Sequence, residues 1–477
     1  MDRLSAIDAS FLANESSTSH MHIGGVTIFE GPPPSYDDLL EHIEGRLHLV
    51  PRYRQKLAVP PVETGRPFWI DDPQFNLGYH VRHSALPAPG GEDELRRMAA
   101  RVFSQQLDRT KPLWELWLVE GLRKKRFALI SKTHHALVDG VAGVDIATVL
   151  FDVKPVPETP PPREEWIPRP EPSGVNLAAR GFEGLAKTPI RAGRRVASAV
   201  SSPGSAAKNI QAAAEGLGEV AWEFANPAPD LPLNQPIGPH RRYVWVSGDL
   251  AEFKRIKTAL GGTVNDVVLT AVAGSMRRWL RARGVRTEGL ELRALVPVSI
   301  RPSGAGSELG NQIAAVRGPL PVYVEDPVQR LRVVREAMDG VKASKKALGA
   351  EVITRFNDFA PPTLLAQASR INFSTRLFNM IVTNVPGPQF PLYMLGRELL
   401  DIFPVAFLPE NHALAIAIMS YNGKIDFGLL GDYDAMEDVT LVAEGIEAEI
   451  KQLLDAAKRA EKEGSASASG ARAKTAS

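Results

Sequence analysis

Two adjacent histidines, followed by an acidic residue and a glycine, are the residues of this chain best suited to chemistry. They lie in the segment His134-His135-Ala136-Leu137-Val138-Asp139-Gly140, directly after the apolar run Phe127 to Thr133. The apolar run predicts a strand, Asp139 and Gly140 predict a turn, and the apolar residues Val141, Val144, Ala147 and Leu150 have helical spacing. Because side chains alternate across a strand, we expect only one of the two histidines to enter any one cavity. A histidine there could act as a general base, since an unperturbed imidazole has a pKa of about 6.5.

The same residues also have a purely structural interpretation. In it, His135 is a packed histidine, and Asp139 is an N-cap that accepts hydrogen bonds from the first turn of a helix.

The HHxxxDG pattern resembles the active-site motif of the CoA-dependent acyltransferase superfamily, which includes nonribosomal condensation domains. Further segments, in order along roughly residues 1 to 455, resemble the bacterial wax ester synthase/diacylglycerol acyltransferase family. These segments are Leu4-Ser5 with Asp8 and Phe11-Leu12, Pro112-Leu113-Trp114, Pro232-Leu233-Asn234, Gly238-Pro239-His240-Arg241-Arg242, Asn265-Asp266-Val267-Val268, Pro297-Val298-Ser299-Ile300-Arg301-Pro302, Gly310-Asn311 and Thr383-Asn384-Val385-Pro386-Gly387-Pro388.

The resemblance implies roles for particular residues. It makes His135 the general base, with His134 in support, and it makes Asp139 a structural residue that pairs with Arg301 from the other half of the fold. It also implies a substrate pocket or oxyanion site, to which it assigns Trp114, Asn265, Asp266, Thr383 and Asn384.

The pocket residues have structural alternatives of their own. Thr263 and Asp266 could form an N-terminal capping box, Trp114 could be a core tryptophan at the entry to a strand, and Thr383-Asn384 could be a strand that runs into a turn. For Gly310-Asn311 a turn is the simplest interpretation.

The chemistry follows from the groups that the sequence has and lacks. There is no cysteine and no G-x-S-x-G segment, so a covalent acyl-enzyme has no obvious carrier. Direct attack fits better: His135 removes a proton from an alcohol, whose oxygen attacks an acyl-CoA thioester. Acyl-CoA is then a co-substrate, no tightly bound cofactor is expected, and no metal site is expected because adjacent strand histidines diverge.

Composition sets the class of protein. At 477 residues, with 44% hydrophobic and 23% charged residues, the chain is long enough for two domains. A formal net charge of +1 gives no reason to expect a nucleic-acid partner, and zero cysteines exclude disulfides. The first residues do not resemble a secretory signal, and no apolar run approaches the ~18 residues that span a bilayer. We therefore expect a cytoplasmic protein associated peripherally with the inner membrane or with lipid droplets.

Proline-rich stretches suggest the domain boundaries. We expect an N-terminal acyltransferase domain over residues 1–152, a proline-rich and helical linker over 153–240, a C-terminal acyltransferase domain over 241–455 and a disordered tail over 456–477. Between Asn176 and Gln211 basic residues alternate with apolar ones, which is typical of helices that lie in a membrane interface, although a linker helix packed on the domains is equally compatible.

The predicted fold is α/β, with two CoA-dependent acyltransferase-like domains, mixed sheets and a tunnel at their interface. The predicted function is an acyl-CoA-dependent O-acyltransferase that makes triacylglycerol from diacylglycerol, or wax esters from fatty alcohols. The alternatives are a catalytically silent lipid-binding protein of membrane or lipid-droplet surfaces and a condensation-type N-acyltransferase. No oligomeric state follows from the sequence.

Overall fold

The computed structural model of the protein describes residues 1–61, 66–138, 149–156, 166–179, 225–299, 313–348 and 373–475. Within these ranges the strands are β1 Asp2–Arg3, β2 His22–Phe29, β3 Gln55–Ala58, β4 Phe68–Asp71, β5 Val81–Ala85, β6 Trp114–Glu120, β7 Phe127–His134, β8 Arg241–Asp249, β9 Leu292–Ser299, β10 Ile313–Leu320, β11 Met380–Pro386, β12 Tyr393–Met394, β13 Arg397–Val405, β14 Leu414–Tyr421 and β15 Lys424–Asp432.

The α-helices lie between and after these strands. Their bounds are α1 Ala6–Asn14, α2 Tyr36–Glu44, α3 Leu77–His80, α4 Glu92–Phe103, α5 His135–Val138, α6 Leu250–Leu260, α7 Val264–Ala282, α8 Pro327–Leu348 and α9 Val439–Thr475. Short 3-10 helices occur at Leu47–Leu49, Pro51–Arg54 and Arg123–Lys125.

Two six-stranded sheets, each of them mixed, organise the chain. The first has the order β12-β13-β2-β7-β6-β5 and the second has the order β10-β9-β11-β14-β15-β8. In the first sheet β5 and β6 are parallel, and in the second β11 is parallel to both β9 and β14, while the remaining pairs are antiparallel. A small sheet β1-β4-β3 lies apart from both. The prediction of an α/β fold with mixed sheets is confirmed.

Strand β13 joins the two halves of the chain. Although it lies late in the sequence, it pairs antiparallel with β2, so that Val405 lies opposite Gly24. Gly25 permits this approach, because a Cβ there would come within 2.9 Å of the carbonyl oxygen of Phe403. The sequence-based division at residues 152 and 241 did not anticipate this exchange, which places 393–405 in the sheet that carries the tandem histidines.

Helix α7 is the buried helix of the second half. It packs on α8 and α9, and its side chains from Val267 to Met276 are buried almost without exception. Its core-facing residues are apolar, which drives this burial. Gly274 leaves room for a buried ion pair, because a Cβ there would come within 2.5 Å of both Arg330 and Glu449.

The C-terminal segment, for which the sequence predicts a frayed helix that gives way to disorder over 456–477, begins as a helix. Helix α9 continues to Thr475. Alanine, lysine and glutamate are good helix formers, and Arg255 of α6 pairs with Glu461 at 2.6 Å, which ties this part of α9 to the second half.

Candidate active site

The tandem histidines stand where β7 ends and α5 begins. His134 is the last residue of β7 and pairs with His22 of β2, whereas His135 is the first residue of α5. The backbone N–H of His134 donates to the Leu113 carbonyl at 3.0 Å, and that of His135 donates to the Met21 carbonyl at 3.0 Å. The sequence analysis placed both histidines on the strand, with the helix after Gly140. The structure corrects this, because the chain leaves the ladder one residue earlier.

The two histidines have different environments. His134 is fully buried and His135 is half-buried. The His135 ring stacks on Phe11 of α1, with centroids 3.9 Å apart and an interplanar angle of 20°, and it meets Phe407 edge-on at 5.6 Å. Phe373 lies 5.7 Å from Phe407 and 6.3 Å from Phe11. His135 therefore lies against an apolar, aromatic surface built from both halves of the chain.

Burial keeps His134 neutral. Desolvation, with smaller electrostatic contributions from Arg109 and His135, lowers the pKa of His134 from 6.5 to about 3. The backbone N–H of Ala136 donates to His134 Nδ1 at 3.1 Å. Nδ1 is therefore an acceptor, and the ring proton of neutral His134 lies on Nε2.

A buried carboxylate faces this Nε2 and was missed in the sequence. Glu15 Oε2 lies 3.7 Å from His134 Nε2, and Glu15 Oε1 lies 4.0 Å from His22 Nε2. Arg109 forms a short charge-assisted pair with Glu15 and also donates to the Leu12 carbonyl at 2.7 Å. Glu15 belongs to none of the segments that suggested a site, and only contacts between distant parts of the chain reveal it.

The predicted helix start at Thr263 is confirmed as a capping box. Thr263 Oγ1 accepts from the backbone N–H of Asp266 at 3.2 Å, and Asp266 Oδ2 accepts from the backbone N–H of Thr263 at 2.8 Å. The neighbouring Asn265 accepts from Asn384 Nδ2 at 3.2 Å. The structure thus brings together two of the predicted pocket residues, Asn265 at the start of α7 and Asn384 on β11.

In the second sheet, strands β9 and β11 separate beside the side chains of Asn265 and Asn384. Strand β11 pairs with β9 only through Met380 and Ile381, whereas it pairs with β14 from Ile381 to Pro386. Thr383 and Asn384, both half-buried, follow the point where β9 and β11 separate. The Thr383-Asn384 segment is a strand, as its structural alternative predicted, and it lies on a strand edge that β9 leaves open.

Trp114 is a core residue. It is 1% exposed, its indole Nε1 donates to the Tyr53 carbonyl at 2.8 Å, and its ring stacks on His80 with centroids 4.7 Å apart. The structure therefore favours the core interpretation of Trp114 over the pocket wall that the resemblance implied.

Arg241 connects the loop after α1 to the second half. It is buried, and its guanidinium donates to the carbonyls of Gly238 at 2.6 Å and His240 at 3.0 Å, and to that of Thr18 through a short bond. Burial lowers the pKa of Arg241 to about 10. The Gly238 to Arg242 segment, which sequence reasoning could only match to a family, therefore holds the loop that follows Glu15.

Several predicted site residues lie outside the described part of the chain. They are Asp139, Gly140, Arg301, Gly310 and Asn311, and most of the basic segment from Asn176 to Gln211 lies outside as well. Among the residues that the structure does describe, no group of three or more His, Asp or Glu side chains is placed to hold a metal ion. Within the same described residues, no helix is both long enough and apolar enough to cross a membrane.

Comparison with known protein families gives two matches in sequence order. The model of the wax ester synthase/diacylglycerol acyltransferase catalytic domain matches residues 4–268, and the model of the WS/DGAT C-terminal domain matches residues 309–454. A probable diacylglycerol O-acyltransferase of Mycobacterium tuberculosis (strain H37Rv) is 34% identical over 465 residues, which cover 96% of this chain and 97% of that protein.

Solved structures of other proteins resemble this fold over almost the whole chain. The wax ester synthase/diacylglycerol acyltransferase from Marinobacter aquaeolei VT8 aligns with a TM-score of 0.68 at 26% identity, covering 96% of this chain and 100% of the other. The starter condensation domain of rhizomide synthetase, solved with C8-CoA and Leu-SNAC, has a TM-score of 0.55 at 14% identity, covering 95% and 93% of the two chains, and so shares the fold. The chain belongs to the wax ester synthase/diacylglycerol acyltransferase family.

Proposed function

We propose that the protein is an acyl-CoA-dependent O-acyltransferase that transfers a fatty acyl group to diacylglycerol and so makes triacylglycerol. The observation that carries the proposal is the half-buried His135 ring against Phe11 and Phe407. This arrangement combines an imidazole that can accept a proton with an apolar surface suited to acyl chains. Family membership and the diacylglycerol O-acyltransferase names of the Mycobacterium relatives supply the substrate class.

In the proposed reaction His135 accepts the proton of the acceptor hydroxyl as its oxygen attacks the thioester carbonyl carbon. The new C–O bond forms, the C–S bond breaks, and protonated His135 returns the proton to the CoA thiolate. General catalysis of this kind contributes on the order of 100- to 10,000-fold. The tetrahedral oxyanion requires hydrogen-bond donors, and Thr383 or backbone amides beside the open edge of β11 are our candidates.

Asp139 and Arg301 complete the proposed site as an architectural pair. The pair would connect the segment after α5 to the segment after β9, so it would hold the two halves together around His135. This role comes from the family resemblance.

We further propose that the segment Asn176 to Gln211 brings the enzyme to lipid. It contains Arg180, Lys187, Arg191, Arg194, Arg195 and Lys208 against the single acid Glu183. Each basic residue near an anionic membrane surface contributes about 1 kcal/mol to binding. Diacylglycerols and long alcohols reside in membranes or lipid droplets, so peripheral attachment would give the site access to its acceptor.

An acceptor competition tests the function. Purified protein is incubated with radiolabelled palmitoyl-CoA and an equimolar mixture of three acceptors: dioleoylglycerol, hexadecanol and hexadecylamine. We expect triacylglycerol to be the main product and wax ester to form with hexadecanol. Amide as the main product would instead identify a condensation-type N-acyltransferase, and lipid binding without any product would identify a silent lipid-binding protein.

A further inference from the structure

One turn of α1 contacts both of the tandem histidines. Phe11 lies in the last turn of α1, and Glu15 is the residue that ends the helix, where its backbone N–H donates to the Phe11 carbonyl at 3.1 Å. Residues four apart on a helix share a face. Phe11 stacks on His135, and Glu15 lies close to His134. The end of α1 therefore contacts the rings of both histidines.

The carboxylate of Glu15 is held in place by a cation. Its side chain is 3% exposed, and burial raises its pKa, an effect that the charge of Arg109 and its hydrogen bond oppose. A charge that is nine-tenths buried is stable only when it is paired, and Arg109 supplies the partner. Because Arg109 also binds the Leu12 carbonyl, it ties the carboxylate to the end of α1 as well.

His134 connects Glu15 to the first turn of α5. The Nε2–H of neutral His134 points at the Glu15 carboxylate 3.7 Å away, while its Nδ1 accepts from the Ala136 N–H. A separation of 3.7 Å is too long for a direct hydrogen bond, so the N–H interacts with the carboxylate as a dipole with a charge. Ala136 N–H belongs to the first turn of α5, whose first residue is His135.

We propose that Glu15, held by Arg109, is a positioning residue: it fixes the ring of His134, and His134 anchors the turn from which His135 acts. The proposal rests on the proposed function for the role of His135. Misplacement of a reacting group by about 1 Å costs on the order of 100-fold in rate, so loss of this support should lower turnover. If Glu15 acts only by positioning His135, the KM for acyl-CoA should stay close to its wild-type value.

A matched control separates positioning from stability. Glu449 is also buried, with a side chain 4% exposed, and it pairs with Arg330 at 2.6 Å in the second half. E449Q removes a comparable carboxylate far in sequence from the histidines. Two variants of Glu15 are compared with E449Q. Glu15→Ala removes the acceptor for His134 Nε2–H, whereas Glu15→Gln keeps both an acceptor and the volume of the side chain.

The first measurement does not depend on activity. Hydrogen–deuterium exchange, followed by mass spectrometry, reports the Ala136 amide through peptides that cover residues 134–138. We expect exchange in these peptides to be at least about tenfold faster in Glu15→Ala, because the freed His134 ring no longer holds this amide. We expect no change in E449Q. Unchanged exchange in Glu15→Ala would overturn the proposal even if His135 proved not to be the base.

The second measurement is the turnover of palmitoyl-CoA with diacylglycerol. We expect kcat to fall roughly ten- to a hundredfold in Glu15→Ala and less in Glu15→Gln, with KM for palmitoyl-CoA within about twofold of the wild type. E449Q should lower the melting temperature and leave kcat within about twofold. If Glu15→Ala does not fold, Glu15→Leu decides, because it fills a similar volume but offers His134 Nε2–H no acceptor, and a wild-type kcat there would overturn the proposal. Equal losses of kcat in Glu15→Ala and E449Q would overturn it too.

Discussion

Asp426 offers a pH-dependent test of the junction between the two sheets. It lies on β15, is 0% exposed, and accepts a hydrogen bond from Ser247 at 2.6 Å. Burial raises the pKa of Asp426 from 3.8 to about 6; the Ser247 and Ile402 hydrogen bonds and Lys424 oppose the shift, and Asp401 adds to it. Ile402 belongs to β13, so Asp426 contacts the strand that crosses into the first sheet.

The sign and size of the effect follow from linkage. A raised folded pKa means that the folded protein holds a proton that the unfolded chain has already released, so the contribution of Asp426 to stability falls as pH rises from about 4 through about 6. A shift of about 2.2 units at 1.36 kcal/mol per unit gives a full cost of about 3 kcal/mol above pH 6. At pH 5.0 about 1.6 kcal/mol of this cost is present, which leaves about 1.4 kcal/mol between pH 5.0 and 7.5.

Asp426→Asn cannot ionise, so it removes this cost. Relative to the wild type, its free energy of unfolding should improve by about 1.4 kcal/mol more at pH 7.5 than at pH 5.0. Guanidinium unfolding followed by tryptophan fluorescence measures both values, and their difference cancels any constant cost of the amide. Asp432→Asn is the control, because Asp432 is equally buried on β15 but accepts from the backbone N–H of Gly238 at 2.8 Å and of Ala435 at 2.9 Å. It should destabilise the protein at pH 7.5. An Asp426→Asn difference that does not change between the two pH values would refute the reasoning.

Three further predictions concern acid stability, the proposed interdomain pair and the lipid surface. Burial lowers the pKa of His134 to about 3 and that of His22 well below 6.5, so their contribution to stability should fall as pH drops from about 6.5 towards 3; in Asp426→Asn, which lacks the opposing effect of Asp426, a melting temperature that stays constant from pH 7 to pH 5 would contradict this. Arg301→Ala should lower the free energy of unfolding by about 3 to 5 kcal/mol and also reduce activity if Asp139 is its buried partner, and an experimental structure with the two side chains far apart would refute the pairing. Changing Arg191, Arg194 and Arg195 to glutamate should release the protein from anionic liposomes at low salt and spare turnover of a soluble short-chain alcohol, whereas unchanged binding would make the segment a spacer.

Local signals in the sequence predicted the local structure well. The apolar run before the histidines gave β7, and Thr263 with Asp266 gave the start of α7, because a strand pattern and a capping box are encoded within a few residues. The different environments of His134 and His135 arise where β7 ends and α5 begins, not from alternation along one strand. The ordered family segments predicted the two-domain α/β fold, which the comparisons confirm.

Contacts between distant residues could not be predicted in the same way. The exchange of β13 into the first sheet depends on pairing with β2, which no local pattern encodes. For the same reason Phe407, which packs on His135, and Glu15, which faces His134, looked like ordinary residues in the sequence. The hydrogen bond of the Trp114 indole to the Tyr53 carbonyl, which supports the core alternative, also joins residues far apart in the sequence.

The kcat of His135→Ala tests the central claim most directly. The substitution leaves the stacked Phe11 and the buried His134 in place, so the fold should survive, which circular dichroism and the melting temperature check. The exposed His48 provides the control variant His48→Ala, which should keep wild-type kcat. Removal of the general base predicts that His135→Ala transfers palmitoyl groups to diacylglycerol on the order of 100- to 10,000-fold more slowly. A folded His135→Ala that retained more than about a tenth of the wild-type kcat would contradict the account.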